Sequence, residues 1–209
     1  MGLLRAKKDR NGGEKLKFLD EVEFRPAKKI ESRKIAELFS ISSDGVADYI
    51  WSLSKADGEE ILGVGQKRYE NPDSHFSYKN CTIAEYNHEV IGMLVAFPMY
   101  VEKNKDLNDT DTVLLPYEKL EEDKSFYICG VAVYEKFRGK GVGTAFMDIA
   151  EIKANELGLT KLSLIVFEDN KGAKKLYDRL GYYEVSREQI SPHPLIHYKG
   201  DAILMVKKI

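Results

Sequence analysis

Arg138-Gly139-Lys140-Gly141-Val142-Gly143-Thr144 lies between an apolar run at 126–134 and an amphipathic run at 142–157. The first run reads as a buried strand, and the second carries apolar residues near helical spacing. A strand that turns through glycines into a helix leaves the first N–H groups of that helix without internal acceptors, at the positive end of its dipole. Such a place fits an anion, a phosphate above all. Glycine suits the turn because a side chain would block close approach and disfavour positive φ.

Downstream, 161–167 alternates into a further strand, and Gly158 stops the helix before it. Asn170 stands at the start of a short helix, where its side chain can cap free N–H groups. That helix carries Ala173, Leu176, Tyr177 and Leu180 and stops at Gly181. The segments 182–185 and 202–206 read as closing strands, joined by a loop that holds Pro192, His193, Pro194 and His197.

Upstream, 22–25 alternates as a half-buried strand ended by Pro26. Three helical stretches follow: Ile30, Ile35, Leu38 and Phe39 share one stripe, Val46, Tyr49, Ile50 and Leu53 a second, and 58–69 forms the third. Trp51, the single tryptophan, lies beside the second stripe, at the edge of a packed face or on a cleft wall. The runs 78–86 and 89–100 form a hairpin across Asn87-His88. The charged segment 103–124 is longer than most loops of a compact domain, which suits a cleft wall or a solvated insertion. The polar, basic stretch 1–20 reads as a mobile tail, leaving 21–209 as one domain.

At 209 residues and 43% hydrophobic composition, the chain is long enough for one sizeable core. Its formal net charge of −2 provides no global basic field for nucleic acid. Two cysteines, Cys81 and Cys129, cannot build a disulfide scaffold or a metal cage, and they suit a reducing, cytoplasmic setting. No apolar run approaches the roughly 20 residues that would span a membrane.

The segment 126–183 resembles the cofactor-binding half of the GNAT superfamily of N-acetyltransferases. Arg138, Gly141 and Gly143 match its Arg/Gln-x-x-Gly-x-Gly/Ala motif. Asn170, Ala173, Leu176-Tyr177 and Gly181-Tyr182 follow in the family's order. A Walker loop would need Ser or Thr directly after Lys140, and a dinucleotide fingerprint would need glycines spaced differently from 139, 141 and 143. The resemblance implies an α/β (α+β) fold, with a mixed, mostly antiparallel sheet of about seven strands flanked by helices. It also implies acetyl-CoA as acyl donor, no metal, and a small-molecule amine or a protein amino group as acceptor. A homodimer would be in keeping with it.

On that resemblance the pyrophosphate rests on the N–H groups of Arg138, Gly139, Lys140, Gly141, Val142, Gly143 and Thr144, with the backbone favoured over either basic side chain. The pantetheine arm pairs with the strand carrying Val131 and Val133, and Asn170 and Ala173 complete the cofactor site. Tyr177 matches the tyrosine near the sulfur and is the candidate general acid, against a packing role. A phenol of ordinary pKa, about 10, is protonated at neutral pH. The strand 126–130 lacks the carboxylate that many members use as base. Glu85, His193 and His197 are candidates, each with an ordinary surface reading beside it. Cys129 reads as a small buried strand residue rather than an acyl-carrying nucleophile. A non-catalytic acyl-CoA-binding or sensing module is the alternative to an enzyme.

Overall fold

The computed structural model describes residues 13–102 and 106–209. The first part of the expected tail, 1–12, lies outside them. The second part is a helix, α1 (Gly13–Asp20), whose Phe18 and Leu19 pack against the main core. Two adjacent apolar residues there supply the buried surface that a tail lacks.

Seven strands form one sheet: β1 (Glu23–Pro26), β2 (Cys81–Tyr86), β3 (Glu89–Met99), β4 (Ser125–Val133), β5 (Lys161–Phe167), β6 (Tyr183–Gln189) and β7 (Asp201–Lys208). Their order is β1-β2-β3-β4-β5-β7-β6, antiparallel throughout except for the parallel pair β4–β5. The expected seven-stranded, mostly antiparallel sheet is therefore present. Asn87 and His88 both adopt positive φ, 49° and 61°, as a two-residue hairpin turn between β2 and β3 requires.

Helices α2 (Ser32–Ser43), α3 (Val46–Leu53) and α4 (Ile61–Glu70) cover one face, where Ile35, Leu38, Trp51 and Tyr69 bury against β2, β3 and β4. The short α5 (Leu115–Lys119) lies within the long charged segment. On the other face α6 (Val142–Glu156) buries Phe146, Met147 and Ala150, with α7 (Lys171–Arg179) beside it. Ile30 departs from its expected stripe. It stands 90% exposed in a 3-10 turn, because Glu31 takes the N–H of Lys28 and delays the α-helix to Ser32. Leu53, at the end of α3, is 58% exposed and also outside the core.

The loop after β6 docks onto the α2–α3 junction. Gly45 has φ +100°, and a Cβ there would lie 1.6 Å from the Leu195 carbonyl oxygen. The His197 N–H donates to the Asp44 carbonyl at 3.1 Å, and the His193 and Tyr49 rings meet edge to face at 4.4 Å. Backbone pressed on backbone has no rotamer escape. Gly45→Ala is therefore expected to cost about 3 kcal/mol or more and to lower the melting temperature by roughly 6 °C or more, read by circular dichroism. An unchanged melting temperature would show that this loop does not dock as described.

Candidate active site

Two irregularities of β4 create the site. The first is a bulge: Val95 pairs with Gly130 but Ala96 with Ile128, so Cys129 is the extra residue. A single extra residue reverses which side chains face which side. Tyr127 and Cys129 pack toward α2–α4, whereas Val131 and Val133 pack toward α6. The second is a parting of strands. β4 pairs with β5 only from Phe126 to Ile128, opposite Leu162 to Leu164. Beyond that point both strands continue without pairing each other, which leaves the β4 main chain at Val131 and the Val133 N–H without a β5 partner.

The glycine turn lies past the end of β4. Gly139 and Gly141 have φ of +73° and +96°, and the first bond within α6 is donated by Ala145 to the Gly141 carbonyl at 3.0 Å. The N–H groups of Val142, Gly143 and Thr144 thus have no acceptor inside the helix. The basic side chains are turned to other work. Arg138 Nε donates to the Val133 carbonyl at 2.9 Å, and Lys140 Nζ sits 4.7 Å from the Phe18 ring centre and 5.5 Å from that of Phe137. Both cations thus contact groups of the protein itself.

The start of α6 and α7 are neighbours. A Cβ on Gly143 would meet Leu176 at an ordinary 3.6 Å. Asn170 caps α7 as the sequence predicts, its Oδ1 accepting from the Ala173 N–H at 3.1 Å. Ala173 therefore has its N–H satisfied by the cap, and its methyl packs on the core. The Tyr177 ring lies 5.8 Å from that of Tyr182. Burial, helped by the nearby Tyr198 phenol, pushes Tyr177 up to about 12.

On the α2–α4 side, where the strands part, is a cavity of about 510 Å³. Trp51, Phe76, Phe97, Tyr127 and Phe167 supply aromatic wall, and Cys129 and Ile165 mark the gap between β4 and β5. Trp51 is both buried, at 2% exposure, and cavity-lining, because Gly65 on α4 leaves room for its indole. Residues 138–144 and Tyr177 do not line the cavity. Tyr198, which helps to raise the Tyr177 phenol, stacks its ring on the cavity-lining Phe167 at 4.4 Å.

The sequence candidates for the base are not brought to the cavity. Glu85 accepts from Arg25 Nε at 3.0 Å within a cluster that also holds Glu31, at the edge of the sheet. His193 accepts from the Leu195 N–H at 3.2 Å, and His197 faces Asp44 at 3.4 Å; both rings fasten the docked loop. The carboxylates that do line the cavity are Glu118 and Glu121, from the long charged segment expected as either a cleft wall or a solvated insertion, with His75 stacked on Phe97 at 5.1 Å. No motif marks these residues. Only the length of their loop hinted at them. Burial pushes the Cys129 thiol up to about 12, so it is protonated and unsuited to nucleophilic attack. Among the described residues no three His, Cys, Asp or Glu side chains cluster as a metal site, and no helix is long and apolar enough to cross a membrane.

Residues 46–182 match the Acetyltransferase (GNAT) family. The chain is 37% identical over 65 residues to the uncharacterized N-acetyltransferase YdgE of Bacillus subtilis (strain 168), a match covering 31% of this chain and 41% of that relative. The chain thus spans less than half of that relative's length. Among solved structures, an acetyltransferase superposes with a TM-score of 0.62 at 21% identity, covering 90% of this chain and 99% of its own. A GNAT family acetyltransferase from Elizabethkingia anophelis with acetyl-CoA bound superposes with a TM-score of 0.54 at 18% identity, covering 91% and 99%. At such identities the likeness is one of fold. The family match takes in the parted strands, the glycine turn and most of the cavity wall, and the chain belongs to the GNAT acetyltransferase family.

Proposed function

We propose that the protein moves an acetyl group from acetyl-CoA to a primary amine. The observation that carries this reading is the gap between β4 and β5, with a backbone anion cradle at one end and an aromatic cavity holding two carboxylates at the other. The fit to the donor rests on the glycine turn. Its positive-φ residues expose N–H groups at the start of a 15-residue helix, and a Cβ at Gly139 would meet only open space. The acetyl-CoA bound in the Elizabethkingia anophelis relative is in keeping with that donor.

The N–H groups of 138–144 would hold the pyrophosphate, and the open edge of β4 at Val131 and Val133 would pair with the pantetheine amides. Asn170 and Ala173 would shape the α7 side of the same channel. When bound, acetyl-CoA supplies a thioester whose C–S bond breaks as the new N–C bond forms. Glu118 and Glu121 hold the incoming ammonium and accept the proton it sheds before attack. Tyr177 faces the departing sulfur as a neutral phenol. With a pKa of about 12, against about 8.5 for an ordinary thiol, its proton remains on oxygen while charge grows on sulfur, so it acts first as a hydrogen-bond donor.

The test is titration of acetyl-CoA into the protein by calorimetry, followed by thiol release with a broad panel of primary amines. Binding with amine-dependent release is the expected result. Binding with no release across the panel would assign the chain to a non-catalytic sensing module, and no binding would overturn the donor reading.

A further inference from the structure

Arg68, half-buried on α4, stands on the cavity wall with its guanidinium centre 4.1 Å from the ring centre of Phe76. Stacking holds a guanidinium by its face and uses none of its N–H groups, which lie in the plane of the fork. Among the described residues those N–H groups donate no hydrogen bond, and no carboxylate lies within ion-pair distance. A half-buried cation in that state is one that an anion relieves. Arg68 is the single lysine or arginine among the described residues of the wall, and the neighbouring Lys67 is turned to Glu59 at 2.6 Å. One guanidinium balances one negative charge, and its planar fork fits a carboxylate with two parallel bonds. Glu118 and Glu121 have interaction partners of their own, and neither takes part in this contact.

The position of Arg68 ties such an anion to the reacting end of the cavity. Burial raises the Cys129 thiol, and the Arg68 charge draws it partly back. Cys129 is the bulge residue at the gap between β4 and β5. The charge is thus felt at the gap, so a carboxylate on Arg68 and an amine in the gap belong on one short molecule. Burial likewise raises the Tyr69 phenol, which feels the same charge and has no partner among the described residues. A neutral phenol and a guanidinium both donate, as a carboxylate requires. The rest of the wall is largely aromatic, with Trp51, Phe97 and Phe167, and about 510 Å³ leaves room for a large side chain.

We propose, resting on the acetyl-transfer reading above, that the acceptor is a free α-amino acid with a large apolar or aromatic side chain. Arg68 holds its carboxylate, and the aromatic wall takes its side chain. An N–C bond forms as the thioester C–S bond breaks, two protons pass from the ammonium nitrogen to solvent in all, and the sulfur leaves as thiolate.

Phenylalanine, leucine and tryptophan test this at saturating acetyl-CoA, each against its amide and its decarboxylated amine: phenethylamine, isoamylamine and tryptamine. Rates are taken per neutral amine, which removes differences in basicity. The best of the amino acids is expected to exceed its amide and its amine about 10²-fold in kcat/KM, since a site that bonds a carboxylate discriminates against its absence. Arg68→Gln should collapse that preference, lowering the amino acid about 10²-fold, through KM more than through kcat. An amide or amine as fast as its amino acid, a preference that survives Arg68→Gln, or no transfer to any of the amino acids overturns the proposal. A fastest amide would point to a peptide N-terminus in place of a free amino acid, and it overturns the proposal too. If Arg68→Gln does not fold by circular dichroism, the comparison of the three forms on the unmutated protein decides alone. Calorimetry with acetyl-CoA separates the two failures. Loss of donor binding sinks the acetyl-transfer reading itself, whereas intact donor binding with the wrong acceptor sinks only this inference.

Discussion

Gly141→Asp is expected to remove measurable acetyl-CoA binding while the chain stays folded. Gly141 caps α6 at φ +96°, a conformation that side chains other than glycine rarely adopt, and its N–H borders the three unpaired donors at the start of the helix. A carboxylate there turns an anion cradle into an anion repeller. Losing two charge-assisted hydrogen bonds, each about 1.5 kcal/mol, weakens binding by about 10²-fold before repulsion is counted. The new Cβ also meets Leu19 Cδ1 at 2.8 Å, but that is the end of a flexible side chain on α1, which can turn aside. Gly141→Ala carries the same backbone strain without the charge and should lie between the two. Gly143→Ala meets only Leu176 at 3.6 Å and should bind normally. Calorimetry alongside circular dichroism reads all three. Undiminished acetyl-CoA affinity in folded Gly141→Asp would sink the assignment of the turn.

Tyr177→Phe is expected to lower kcat by about 10²-fold and to change acetyl-CoA affinity by less than about twofold, as loss of a donor used only at the departing sulfur should. The ring keeps its place against Tyr182, so packing is preserved. The pH profile adds a second readout. Burial has moved this phenol upward, so its neutral, donating form persists through its ordinary pKa and is lost only near 12. Turnover of the unmutated protein should therefore not fall through roughly pH 10. Equal turnover in the two proteins would reduce Tyr177 to a packing residue.

Much of this molecule was legible because its signals are local. The hairpin was read from Asn87-His88, and both residues take the positive φ such a turn needs. The cap was read from Asn170, and its side chain bonds three residues on. Ile30 misled because one hydrogen bond to Glu31 decided where the helix began. The ion pair of Glu85 was not legible because its partner, Arg25, lies on a different strand, and only pairing in the sheet brings them together.

The sequence by itself determined the element order, the strand-to-glycine-to-helix turn and hence the kind of ligand group proposed for that turn. Each depends on residues within one or two turns of one another, where periodicity, capping and φ preference act. Tertiary structure alone decided the rest. The bulge at Cys129 reversed the faces of β4, and β4 and β5 parted after three paired residues. The cavity drew its carboxylates from the segment at 118–121, and Tyr69 on α4 and Tyr117 on α5 gave it buried phenols without a partner among the described residues. Strand register and cavity walls are set by contacts between segments far apart in the chain, and such contacts leave no spacing to read in either segment alone.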